Sequence, residues 1–158
     1  MTVDYIVSSL PPLAFDGAGA MDDAAFGSLC NGVDFSKVAA KWLDLETQIR
    51  NAICEERAKA QGKDAAKWKR AAEGCSLYWR NRAAAAMAER DTAKREAAVD
   101  RVLWDAVEDL VPAASPLGVE ALFAYSVRLG IARKRAKISA QEGGKVFDAI
   151  TAAGKIDL

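Results

Sequence analysis

Phe35, Val38, Trp42, Leu45, Ile49 and Ala52 recur at steps of three and four residues. That spacing aligns them as one stripe on an α-helix and scatters them over both faces of a strand, so it commits this segment to helix. Asp34 is placed to cap the start of the helix and Gly62 to mark its end. Glu46 and Arg50 lie four apart, in the favourable order for a surface pair worth roughly a few tenths of a kcal/mol.

Similar signals run through most of the chain. "MDDAAFGSLC" reads as a short helix capped by Asp22 or Asp23 and stopped at Asn31-Gly32. Residues 63–111 read as two helices or one broken helix, with Gly74 as the interruption. Within it, Arg80–Ala98 is nearly all alanine and charge, high in helix propensity but thin in apolar stripe. The stripe returns at Val99, Val102, Leu103, Ala106 and Leu110, and Pro112 closes it. Ser115 as cap with Pro116 at the first helical position starts the next helix, which carries Val119, Leu122, Phe123, Ser126 and Leu129 to about Lys137. Ser139-Ala140-Gln141-Glu142 reads as a capping box, so a last helix is expected to present Val146, Phe147 and Ile150 and to end at Gly154.

The N-terminus follows different rules. Tyr5, Ile6 and Val7 favour strand, Leu10 and Pro11 each precede a proline, and "DGAGA" at 16–20 is a flexible turn. Residues 1–15 are therefore expected to form an extended strap that lays Tyr5, Val7, Leu10 and Phe15 against the helices. The resulting expectation is an all-α fold in a single domain over residues 1–158. It has an extended arm and turn over 1–20 and a bundle of long antiparallel helices over 21–158. Its structural core is expected at Phe35, Val38, Trp42, Leu45, Ile49, Trp104 and Phe147.

Composition removes several classes of function. The chain contains no histidine, which withdraws the commonest general base and a common metal ligand. Lysine plus arginine equals aspartate plus glutamate at 22 each, so the chain is not a general polyanion binder. Cys30, Cys54 and Cys75 form no CxxC pair and read as small core fillers in a reducing compartment. The apolar run Tyr5–Leu10 lacks a basic segment before it, holds two serines and stops at two prolines, so it is not expected to be a secretion signal. No stretch approaches the roughly 20 apolar residues that span a bilayer. A cytoplasmic protein, at most peripheral to the inner membrane, is the expected result.

Catalytic signatures are missing as well. There is no Walker loop, no dinucleotide fingerprint after a strand and no GxSxG, so neither an enzyme nor a cofactor is expected. Asp105, Glu108 and Asp109 cluster near a helix end and could ligate a divalent cation; a solvated acidic face is the simpler reading, and no metal is expected. Arg128, Arg133, Lys134, Arg135 and Lys137 fall within ten residues that contain no acid. They are the candidate partner-binding residues, and the competing reading has them neutralise acids such as Glu108 within the bundle. Trp42 and Trp104 belong to apolar stripes. Trp68 and Trp79 lie in "KWKR" and "YWRNR", where packing beneath arginine stems is expected and stacking on a nucleic-acid base is the alternative.

Four segments carry a family resemblance. "YIVSSLPPLAF" resembles the "YYYLVASLPxLxF" opening of an uncharacterised bacterial family encoded among V-type ATPase subunits. "MDDAAFGSLC" resembles the short helix that follows in that family, "WLDLETQIRNAICEERAKAQG" its long helix, and "EGGKVFDAI" its closing helix. The family is similar to the V/A-type ATPase C subunit, called d in eukaryotes. The resemblance implies a non-catalytic helical subunit or accessory that docks to rotor-stalk or membrane-ring partners. It transfers no functional residue. The alternative carried by the residues themselves is a nucleic-acid-binding module that uses the basic helix, and the least favoured is a metal enzyme built on the Asp105 cluster.

Overall fold

A computed structural model describes residues 1–156; the surroundings of Glu142, Gly143, Val146, Phe147 and residues 153–156 lie outside the described set. All regular structure among the described residues is helical. The order is α1 (Val3–Ser9), α2 (Asp23–Leu29), α3 (Ser36–Ala60), a 3-10 turn (Ala65–Lys67), α4 (Leu77–Met87), α5 (Thr92–Ala106), a second 3-10 turn (Val107–Leu110) and α6 (Val119–Ile156).

The apolar stripe of α3 faces inward as its spacing requires. Val38, Trp42, Ile49, Ala52 and Ile53 are buried, and Ile49 is fully enclosed. Phe35 and Leu45 are half-buried, and the expected core residue Phe147 lies outside the described residues. The main core joins α3 to Trp79, Ala83 and Ala86 of α4, Val102, Leu103 and Ala106 of α5, Val107 of the second 3-10 turn and Ala124 of α6. Alanines on α4 let its backbone approach α3 and α5 closely, so a thin stripe suffices where the facing helices bring the bulk. A second cluster gathers Ile6 of α1, Phe26 of α2, and Leu122 and Leu129 of α6. Leu122 and Leu129 line this second cluster while Ala124 lines the first, so α6 forms a wall of both.

Four boundaries differ from expectation. Residues Val3–Ser9 are helix α1 and not part of an extended strap. Val3, Ile6, Val7 and Leu10 lie at the i, i+3, i+4, i+7 spacing of a helix face, and burying Ile6 overrides the strand propensity of its neighbours. Tyr5 consequently points to solvent, with 61% of its surface exposed. The extended backbone begins only at Leu10, before the prolines. The alanine-rich stretch breaks at residues 88–91, because the Asp91 carboxylate accepts the Lys94 N–H and caps a new helix. α6 starts at Val119, with Ser115–Gly118 forming a turn before it. It then continues through Ser139–Glu142 without a second start, so the local capping signal loses to helix propagation.

The N-terminal segment is fastened to the helices at several points. The Tyr125 hydroxyl donates to the Pro11 carbonyl at 2.9 Å. The Phe15 ring meets Trp104 edge-on with centroids 5.5 Å apart, and the Arg101 and Arg135 guanidinium groups lie 5.4 and 5.8 Å from its centre. Gly17, at φ +94°, brings the turn so close to α6 that a Cβ would stand 2.7 Å from the Ala132 carbonyl oxygen.

Candidate functional site

The basic run lies on α6, facing α5 and the start of α2. Arg128 donates from Nε to the Trp104 carbonyl at 3.0 Å, pairs with Glu108 at 3.0 Å and stacks over the Trp104 ring. Arg133 contacts the Met21 carbonyl and the Asp23 carboxylate, which ties α6 to the start of α2. Lys134 and Arg135 both reach Asp100, at 2.8 and 3.4 Å. Asp100 is only 5% exposed, and the two cations offset the cost of taking its carboxylate out of water. Lys137 is exposed and has no acidic partner among the described residues. Four of the five candidate partner-binding residues thus engage groups within the chain, and the expected neutralisation of Glu108 is one of those contacts.

The acidic cluster is divided among different partners. Asp105 lies in the last turn of α5, and Glu108 and Asp109 lie in the 3-10 turn that follows. Asp105 pairs with Arg82 and Arg101 at 3.0 and 3.3 Å. Glu108 takes Arg128, and Asp109 accepts the Trp79 indole N–H at 2.5 Å. Among the described residues no group of three or more acids and cysteines is placed to hold a metal ion.

A polar row on α3 was not anticipated. Asp44, Gln48, Asn51 and Glu55 follow the same three-and-four spacing as the apolar stripe and hold the segment 69–76 in place. Asp44 accepts the N–H groups of Glu73 and Gly74 at 2.6 and 3.0 Å. Gln48, buried, donates to Asp44 and accepts the Ser76 N–H at 2.7 Å. Asn51 clamps the backbone of Arg70 with two hydrogen bonds of 2.7 and 2.9 Å. Glu55 pairs with Lys69 and Arg80 at 2.5 and 3.3 Å. The Glu73 N–H, with Gln48, holds the Asp44 carboxyl below the usual range, and Lys69 does the same for Glu55. Gly74 fits because its Cα sits against this row: a Cβ there would stand 2.8 Å from an Asp44 oxygen and closer still to the Gln48 amide.

The tryptophans and cysteines divide. Trp79 is buried with Arg82 over its ring, as the packing reading of "YWRNR" expects. Trp68 is exposed, contrary to that reading of "KWKR". Cys30 and Cys54 are half-buried, and burial pushes the Cys30 thiol up. Cys75 is exposed, its sulfur 3.6 Å from an Arg80 nitrogen, so it is not a core filler.

Among the described residues no helix is long and apolar enough to cross a membrane. The structure defines a helical protein in which the less exposed charges, Asp100, Arg128, Arg133 and Arg135 among them, are paired within the chain. A family model described as a protein of unknown function (DUF2764) matches residues 80–155, from within α4 to near the end of α6. Comparison with curated proteins and with solved structures gives no match.

Proposed function

We propose that this chain is a non-catalytic docking subunit: an accessory or C/d-like coupling part of a bacterial V/A-type ATPase, seated on the rotor stalk or the membrane ring. The observation that carries the docking role is the two-part character of α6. The helix has 38 residues, roughly 57 Å at 1.5 Å per residue. Its buried positions are Leu122, Ala124, Leu129 and Ala132. From Ser139 through Ala152 every residue whose burial is described is exposed, including Ile150 at 66%. A helix buried at one end and exposed at its described positions beyond Ser139 offers a surface to a partner.

The ATPase as that partner rests on the sequence motifs at the N-terminus, along α3 and in the second half of α6. The family match, which carries no function, is compatible with it. A nucleic-acid reading through the basic helix would have to break the Arg128, Arg133, Lys134 and Arg135 contacts first, which disfavours it.

Purification of the tagged protein from native membranes in mild detergent tests the proposal. ATPase subunits should be enriched with the full chain, and deletion of residues 139–158 should remove them while leaving the melting temperature nearly unchanged. Consistent absence of every ATPase subunit from the full-length sample would retire the reading.

A further inference from the structure

Trp42, Trp79 and Trp104 are at most 8% exposed, whereas Trp68 leaves 56% of its surface in solvent. It stands just after the first 3-10 turn, on a ridge between two clefts. The cleft on one side has a volume of about 320 Å³ and is walled by Leu43, Arg50 and Arg70. The cleft on the other has about 370 Å³ and is walled by Ile53, Ala58, Val99 and Arg57. Leu43 is itself 64% exposed, so two large apolar side chains share the first cleft with two arginines.

The ridge is fastened. The Trp68 N–H donates to the Ala65 carbonyl at 3.0 Å, Asp64 caps the turn through the Ala66 N–H, and Asn51 holds the next loop residue but one through both backbone groups of Arg70. An exposed indole on an ordered segment loses little freedom when a partner covers it, which is why tryptophan is enriched in the energetic centres of interfaces.

The surrounding charge is one-sided. Residues 57–70 hold six basic side chains and one acid, in a chain whose charges otherwise balance. Lys59 pairs with Glu56 at 3.7 Å, Lys69 with Glu55, and Asp64 is committed to its turn. Arg57, Lys63, Lys67 and Arg70 have no acidic partner among the described residues.

We propose that the Trp68 ridge is a docking site for an acidic protein segment that carries aliphatic side chains. The aliphatic groups would occupy the two clefts beside the indole, and the acids would pair with Arg57 and Arg70. Aliphatic contact selects a protein segment over a nucleic-acid strand: Ile53, Ala58 and Val99 line the second cleft beside Arg50, Arg57 and Gln61, and Leu43 lines the first, surfaces that leucine-sized side chains can cover and a phosphodiester backbone cannot. The proposal does not depend on the ATPase reading, since it concerns α3 and the loop after it.

Trp68 supplies its own reporter, because acrylamide quenches an exposed indole far more than buried ones. The probes are a short synthetic peptide of glutamates with leucines at helical spacing, the same peptide with lysines for glutamates, and oligo-dT. The acidic peptide should protect Trp68 from quenching, and raising the salt should weaken its binding. By calorimetry, Trp68→Ala should weaken it about thirty-fold, and Arg57→Glu and Arg70→Glu about tenfold each. All three side chains are exposed, so melting temperatures should stay at the parental value; the two arginine variants retain the test should the tryptophan variant misfold. Binding unchanged in these variants, no binding of the acidic peptide, or tighter binding of the lysine peptide or oligo-dT would each overturn the proposal.

Discussion

Replacing Gly17 by alanine probes how the N-terminal segment is held to α6. Gly17 sits at φ +94°, where an L-residue costs about 1–2 kcal/mol. The added Cβ would also stand 2.5 Å from the Ala136 Cβ and 2.7 Å from the Ala132 carbonyl oxygen. Carbon atoms prefer about 3.5–4.0 Å, so the turn must retreat by about 1 Å, and overpacking of that kind costs about 1–3 kcal/mol. The obstacle is helix backbone, which cannot swing aside. Retreat would pull Phe15 from Trp104 and Pro11 from the Tyr125 hydroxyl. A combined loss of about 3 kcal/mol lowers the melting temperature of a chain this size by roughly 6–12 °C. Gly130→Ala is the control: Gly130 lies within α6 with nothing near its missing Cβ, so alanine should stabilise by about 1 kcal/mol and raise the melt by roughly 2–4 °C. Circular dichroism melts read both variants, and hydrogen exchange should show α1 opening earlier in Gly17→Ala. A Gly17→Ala melt equal to the parent's, or a Gly130→Ala variant as unstable as Gly17→Ala, would refute the close packing of this turn on α6.

Other perturbations follow from the same contacts. Gly74→Ala should cost about 2 kcal/mol in urea denaturation, because relieving its clash breaks hydrogen bonds of Asp44 and buried Gln48 worth about 1 kcal/mol each. Asp100→Ala removes the buried acceptor of Lys134 and Arg135 and should destabilise by about 2 kcal/mol, visible as a lower denaturation midpoint. Asp44 and Glu55 are held below the ordinary carboxylate range, so their contribution is present above it and fades as the pH falls from about 4.5 through the depressed values. A pH series should therefore show a steeper acid loss in the parent than in an Asp44→Ala, Glu55→Ala double variant; parallel curves would contradict the pairing.

The apolar periodicity of α3, with steps of three and four from Val38 to Ala52, was sufficient to set that helix and its buried face, because period alone decides which side chains share a side. Caps were readable in part: Asp22 accepts the Ala24 N–H at 2.6 Å and caps α2, whereas Asp34 stands one residue before the Phe35 cap of α3 and accepts the Ser36 N–H at 2.9 Å. Pure locality failed where two signals competed. The Ser139–Glu142 motif can cap a helix, but it lies inside a segment already propagating from Val119, where extending the helix costs less than a new nucleus. Residues 3–9 failed in the opposite direction: strand-favouring side chains sit at helical spacing, and the groove against Leu122 and Leu129 selects the helix.

Sequence by itself determined the helical class, the buried stripe of α3 and the lack of a recognisable catalytic motif, because these depend on residue type and short-range spacing. Tertiary structure decided what the charges do. The row Asp44, Gln48, Asn51 and Glu55 acquires its purpose only when the loop 69–76 folds back upon it. Arg128, Arg133, Lys134 and Arg135 look like an outward basic patch along the chain, and their acids arrive from α2, α5 and the turn after α5. Trp68 and Trp79 stand in similar basic surroundings in sequence, yet one is sealed by α5 and its following turn while the other remains on a ridge. Long-range pairing chooses between burial and exposure there, since flanking arginines suit a covered indole and an open one equally well.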